Sequence, residues 1–171
     1  MGTQIIVTAV EHVDVMELRE LQPDDWELWR VVRLQALAGA PEAFSSKLED
    51  WQGAGDREER WRSRLQAVGF NVVALVDGVP VGQASGTDPD EANDVELLSV
   101  WVHPSARGTG VGRGMIESVA AWAKSRGAAS VSLAVFVENS HARELYERAG
   151  FVTDSGAVPS PGQTVMARRL S

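Results

Sequence analysis

Val95-Glu96-Leu97-Leu98-Ser99-Val100-Trp101-Val102 is followed, after His103-Pro104-Ser105-Ala106, by Arg107-Gly108-Thr109-Gly110-Val111-Gly112, and the reading of the chain turns on this stretch. Its first part is an apolar run long enough for a strand. Beyond its last part, Met115–Lys124 has helical composition with neither Pro nor Gly. A strand, a glycine-rich bend and a helix start together present unpaired backbone N–H groups and a positive dipole end, a ready site for an anion. Glycines at alternating positions let the backbone approach such a ligand without Cβ obstruction. A tight turn accounts for the same glycines, and the loop alone does not decide between the two.

The spacing narrows the phosphate ligand. A P-loop needs Gly-x4-Gly-Lys-Ser/Thr, and no Lys follows these glycines. A dinucleotide fingerprint needs G-x-G-x-x-G; counted from Gly108 its last position is Arg113, and from Gly110 it is Met115. Arg-x-x-Gly-x-Gly is what remains.

Working outward, 171 residues with 44% apolar and 23% charged residues suit one soluble domain with its own core. No apolar run approaches a membrane span. Residues 1–14 contain Ile5-Ile6-Val7 but no basic n-region, and read as an N-terminal extension rather than a signal peptide. A cytoplasmic location is the expectation. The absence of cysteine removes disulfides, thiolate metal sites and a cysteine nucleophile. A net charge of −8 argues against nucleic acid as a partner. It is compatible with a cationic amine, although acidic surfaces also serve solubility alone.

Val15–Leu21 alternates as a half-buried strand does. Pro23 opens a helix that carries Trp26, Trp29, Arg33 and Leu37 and stops at Gly39. Asp56 is the expected N-cap of a second helix reaching about Ala67. Phe70–Val76 and Val79–Ala84 form a hairpin through Asp77-Gly78. Val131–Val137 reads as a buried strand, Asn139–Ala149 as a helix closed by Gly150, and Phe151–Thr153 and Thr164–Leu170 as short terminal strands. The order β-α-α-β-β-β-α-β-α-β-β calls for a mixed sheet rather than a parallel one.

Asn139 and Tyr146, seven apart, share one helix face. Tyr146 is the only tyrosine in the chain, and a phenol either packs or donates a proton. In a regular strand Glu96 shares a face with Leu98, Val100 and Val102. In a cleft its carboxylate is a candidate general base; at a strand start it is a solvated charge.

These segments carry a resemblance. Val95–Gly112, followed by Asn139-x-x-Ala142-x-x-Leu145-Tyr146-Glu147-x-x-Gly150-Phe151, resembles the GNAT superfamily of acetyl-CoA-dependent N-acetyltransferases. Arg33-x-x-Ala36-Leu37-x-x-x-Pro41-x-Ala43-Phe44 is similar to the first helix and loop of many bacterial members. The resemblance implies an α/β (α+β) fold. Its mixed, mostly antiparallel sheet has six to seven strands and about four helices, and its fourth and fifth strands splay apart at a β-bulge. It implies a diphosphate cradled by Arg107, Gly108, Thr109, Gly110, Val111, Gly112 and Arg113, and a pantetheine arm along Val100 and Val102. Asn139 matches a position that contacts the cofactor. Tyr146 matches the usual general acid and also borders the cofactor. Glu96 stands where some members keep a catalytic glutamate.

The implied reaction is direct attack of a primary amine on the thioester, without an acyl-enzyme. The acceptor, a small-molecule amine or a peptide, is not named by the sequence. The competing reading is a non-catalytic acyl-CoA sensor or regulatory module, which needs the loop but not Glu96 or Tyr146. His12, His103 and His141 lack metal-ligand spacing, and no metal is expected. Trp26, Trp29, Trp51 and Trp61 fall in the region that borders the acceptor pocket in the family, and they permit a homodimer contact. Trp26 and Trp29 are more simply core anchors.

Overall fold

The computed structural model describes residues 3–8 and 13–171. Strand β1 (Thr3–Thr8) pairs antiparallel with β2 (Val13–Glu20), so the Ile5-Ile6-Val7 segment of the expected extension lies in the sheet. This adds an eighth strand to the seven that the sequence pattern located. A 3-10 turn at Pro23–Asp25 leads into α1 (Trp26–Gly39). Short 3-10 turns then carry the chain to α2 (Glu58–Ala67). β3 (Phe70–Val76), β4 (Val79–Gly86) and β5 (Asp94–Val102) follow, then α3 (Val111–Ser125), β6 (Ser130–Phe136), α4 (Ser140–Arg148), β7 (Val152–Thr153) and β8 (Gln163–Arg169).

The sheet order is β1-β2-β3-β4-β5-β6-β8-β7, and β5–β6 is its one parallel pairing. Asp77 and Gly78 both adopt positive φ, 50° and 79°, the geometry that a two-residue type I′ hairpin demands. One face of the sheet packs on α3 through Val72, Ala74, Ala84, Val95, Leu97, Met115, Ile116 and Val119. Tyr146 of α4 joins this core. Trp122 stacks on Phe70 at 5.3 Å, fixing α3 to the sheet. The opposite face packs on α1 and α2 through Trp29, Val32, Ala36, Trp61, Leu65, Val73, Leu75 and Trp101.

Three local expectations are corrected. Asp56 does not cap α2, whose N-cap is Arg57 without a side-chain bond. Its carboxylate accepts instead from Arg30 Nε at 2.7 Å and Trp61 Nε1 at 2.8 Å, tying α1 to α2. Those bonds, Arg30 first, hold it down to about 2. The second correction concerns β6, which is buried on one face only. Val131, Leu133 and Val135 point into the α3-side core, whereas Ala134 is exposed and Ser132 and Phe136 are half-buried. The α1/α2-side core takes no residue from β6, so that face of the strand is left open. The third correction, the face on which Glu96 lies, belongs to the site.

Candidate active site

β5 changes partner and parity within a few residues. Leu98 pairs with Ser85 and Trp101 with Gln83, so Ser99 and Val100 stand opposite the single residue Ala84. This is a β-bulge, and Ser99 adopts φ 58°, a left-handed conformation that is uncommon for a non-glycine residue inside a strand. The extra residue reverses the alternation. Val95 and Leu97 face α3 before the bulge, and Val100 and Val102 face it afterwards, while Trp101 turns to the α1/α2 side. Glu96 therefore shares a face with Leu98 and Trp101, not with Val100 and Val102 as regular alternation predicted.

On its other edge β5 pairs with β6 only over Asp94–Glu96. Asp94 pins this join by accepting hydrogen bonds from Ser130 Oγ (2.7 Å) and Ser132 Oγ. From Leu97 to Val102 the edge has no strand partner among the described residues. The strands part there, as the splayed pair of the family fold requires. Among the described residues Ser99 and Val100 have no register partner on either side.

The glycine loop lies at the end of the same strand. Gly108 and Gly110 take φ of 76° and 91°, and Gly110 is the left-handed N-cap of α3. Gly112 has a different reason to be glycine. A Cβ there would sit 3.1 Å from Leu145 Cδ2 and 3.2 Å from Val102 Cγ2, tighter than ordinary packing. None of the backbone amides from Gly108 to Arg113 donates to an acceptor among the described residues. Arg107 Nε donates to Val102 O at 3.1 Å and Thr109 Oγ1 to Ala106 O, holding the loop against the end of β5. A run of free amides at the positive end of a 15-residue helix is an anion nest.

Tyr146 is 7% exposed, edge-on to Phe151 at 6.0 Å, and its hydroxyl has no hydrogen-bond partner among the described residues. Burial pushes its pKa above the ordinary phenol value, so the phenol stays protonated throughout the neutral range. α4 is anchored by Arg113 Nη1 donating to Arg148 O (2.9 Å) and by Arg168, which pairs with Glu117 at 2.7 Å and donates to Ala149 O. Asn139 caps α4, its Oδ1 accepting from Ala142 N at 3.2 Å, which leaves its amide NH2 free among the described residues. Glu96 is exposed on the α1/α2 side, while Tyr146 belongs to the α3-side core. Partial desolvation, and after it the Asp94 carboxylate, raise the pKa of Glu96.

The remaining candidates have structural roles. His103 Nδ1 accepts from Ser105 N at 3.1 Å, capping the turn before the glycine loop. His141 is exposed, and His12 falls outside the described residues. Trp29 and Trp61 are fully buried, and Trp51 packs on Trp61 at 4.5 Å. Glu42, Glu49 and Asp50 are exposed. Sequence reasoning passed over a polar cluster beneath α1 and α2, formed by Arg33, Arg64, Asn71, Gln83 and Ser85. Arg64 donates to Asn71 Oδ1 (3.0 Å), Ser85 Oγ (3.3 Å) and the bulge residue Ser99 Oγ (3.4 Å). The available signal was the alternation of Gln83 and Ser85 with small residues in a strand buried on both faces.

The comparisons with known proteins agree with this geometry. The profile of the acetyltransferase (GNAT) family matches residues 17–151. A mycothiol acetyltransferase of Thermobispora bispora is 34% identical over 152 residues, covering 84% of this chain and 48% of that protein. The chain thus spans about half the length of the mycothiol acetyltransferases it matches. An aminoglycoside N(6')-acetyltransferase type 1 of Salmonella enteritidis is 26% identical over 143 residues, covering 80% of this chain and 91% of the relative. Among solved structures, PaiA N-acetyltransferase from Thermoplasma acidophilum in complex with coenzyme A has a TM-score of 0.71 at 20% identity, covering 91% of this chain and 99% of the other. That likeness is one of fold. With the family profile spanning the bulged strand, the glycine loop and the Tyr146 helix, the chain belongs to the acetyltransferase (GNAT) family.

Proposed function

We propose that this chain is an acetyl-CoA-dependent N-acetyltransferase, acting as one catalytic domain, that moves the acetyl group to a primary amine by direct attack in a ternary complex. The supporting observation is the row of unpartnered amides from Gly108 to Arg113, at the end of a strand that parts from its neighbour beyond Glu96. The diphosphate of acetyl-CoA occupies the nest. Its pantetheine arm lies in the gap along the backbone of Val100 and Val102, and the Asn139 amide borders it. A backbone N–H at the Ser99–Val100 bulge is the donor for the tetrahedral oxyanion.

Tyr146 is the general acid that protonates the departing thiolate, for which a buried neutral phenol suits the task. Glu96, with its raised pKa, takes the proton of the incoming ammonium directly or through water. The mycothiol and aminoglycoside acetyltransferase relatives support an amine acceptor of small-molecule size. The acidic, cysteine-free composition supports a cytoplasmic setting. Trp26 is half-buried beside exposed Val31 on α1 and supports a homodimer contact there.

The test is release of free thiol from acetyl-CoA on addition of amines, with CoA binding measured separately by calorimetry. CoA binding without turnover on small amines, peptides and aminoglycosides would favour a sensor. Absence of CoA binding would overturn both readings.

A further inference from the structure

Apart from the Tyr146 hydroxyl, the buried side-chain polar atoms that lack a partner among the described residues lie on the α1/α2 face of the sheet: Trp29 Nε1, Arg33 Nη1, Gln83 Nε2 and Oε1, and Trp101 Nε1. Folded proteins leave few such groups, and a concentration of them at one place marks something the site is built to hold. The residues form one wall. Trp29 and Arg33 are four apart on α1 and share its inner face. Gln83 and Trp101 are register partners on β4 and β5, and Trp29 and Trp101 belong to the same core. Gln83 is 0% and Arg33 7% exposed.

The inventory is lopsided. Four of the five atoms are donors, and the one acceptor is Gln83 Oε1. Arg33 is a buried cation, and neither it nor the half-buried Arg64 beside it is in an ion pair among the described residues. Both remain protonated at neutral pH, although burial lowers each to about 10. Water can satisfy donors, but it does not neutralise a buried guanidinium with no carboxylate beside it. A carboxylate does so, and its two oxygens offer about four lone-pair directions to the four donors.

The location connects this wall to the proposed chemistry. Arg64 hydrogen-bonds the bulge residue Ser99, and Trp101 follows Ser99 by two residues, about 7 Å along a strand. Half-buried Phe44 lies over the Arg33 guanidinium at 4.7 Å and covers it on that side.

We infer that the acceptor is a short amine bearing a carboxylate, which Arg33, Gln83, Trp29 and Trp101 bind while its amine reaches the gap at the bulge. The inference rests on the acetyltransferase reading for its substrate role, but not for its anion chemistry. Polycationic amines are disfavoured at this wall by Arg33 and Arg64.

The experiment compares glycylglycine and 4-aminobutanoate with glycylglycinamide, spermidine and kanamycin as acceptors for thiol release. Binding of CoA and of each amine is measured by calorimetry. The carboxylates are expected to exceed glycylglycinamide in kcat/KM by about tenfold or more, the effect of one charge-assisted hydrogen bond. Arg33→Met erases that preference and leaves the KM for acetyl-CoA within about twofold, and Arg33→Lys restores part of it. Equal use of glycylglycine and its amide, preference for spermidine or kanamycin, or a preference that survives in Arg33→Met would overturn the inference while leaving the enzyme intact. Should Arg33→Met fail to fold, Gln83→Leu and the wild-type carboxylate-to-amide ratio decide. If no amine is turned over, calorimetry decides: carboxylates that bind wild type but not the variant uphold the site and sink the reaction, and carboxylates that do not bind sink the site.

Discussion

The two flanks of β5 solve the recognition problem in opposite ways. At its C-terminal end the binding surface is backbone: free amides from Gly108 to Arg113, exposed through Gly110 and shaped by glycines. On the α1/α2 face it is side chain: Arg33, Gln83, Trp29 and Trp101, sealed from solvent and unpartnered. The backbone site is indifferent to most residue identities and reads a ligand common to many enzymes. The side-chain site depends on every identity and has the means to choose an acceptor. Ser99 stands between them, bulged and bonded to Arg64.

That division can be broken at several points. Tyr146→Phe tests the group that links both sites through the chemistry. Its expected cost is about 10²–10⁴-fold in kcat with CoA affinity unchanged, as for loss of a general acid. A wild-type rate in single-turnover assays would remove Tyr146 from the mechanism. Gly110→Val places a β-branched side chain at φ 91° and misdirects the amides of the nest. Loss of two charge-assisted bonds corresponds to roughly 100-fold or more in CoA affinity by calorimetry. The acceptor preference should survive in whatever activity remains. A variant that binds CoA normally would mean the diphosphate lies elsewhere.

Glu96→Gln is expected to lower kcat/KM by up to about 100-fold and to flatten the acidic limb of its pH profile. Because the folded-state pKa of the proposed base is raised, that limb is expected above the ordinary carboxylate value of 4.5. A limb that persists in the variant assigns the base to another group. The smallest effect is structural. Asp56 has a depressed pKa, about 2 against 3.8, so its contribution is present above 3.8 and is lost as pH falls through 2. With its carboxylate partly exposed, Asp56→Asn is expected to cost about 1–2 kcal/mol at pH 7 after allowance for solvent screening. In thermal melts the difference from wild type should fade between pH 4 and 2, and catalysis should barely change. A large loss of acceptor binding would show that the α1–α2 tie shapes the side-chain site as well.

Much of this molecule was legible in the chain. Asp77-Gly78 announced its hairpin because positive φ at both turn positions suits few residue pairs. Gly108 and Gly110 announced the nest because their positive φ suits few other residues, and Pro23 and Gly39 bracketed the first helix through equally local preferences. Asp56 was misassigned since an N-cap signal is local, whereas the Arg30 and Trp61 partners that captured the carboxylate are 26 residues before and five after it. Glu96 was placed on the wrong face because alternation assumes regular pairing, and nothing in Leu98-Ser99-Val100 marks the extra residue.

By itself the sequence determined the order of elements, the glycine loop and the presence of a lone phenol on the helix behind it. These follow from backbone preferences and periodicities that act over a few residues. The family resemblance implied a bulge and a splayed strand pair; only the tertiary structure decided that the bulge falls at Ser99, that the edge comes free beyond Glu96, and that Arg33 and Gln83 are buried without partners on one wall. Those facts depend on which distant groups meet, and on whether burial leaves each charge and each donor something to bind.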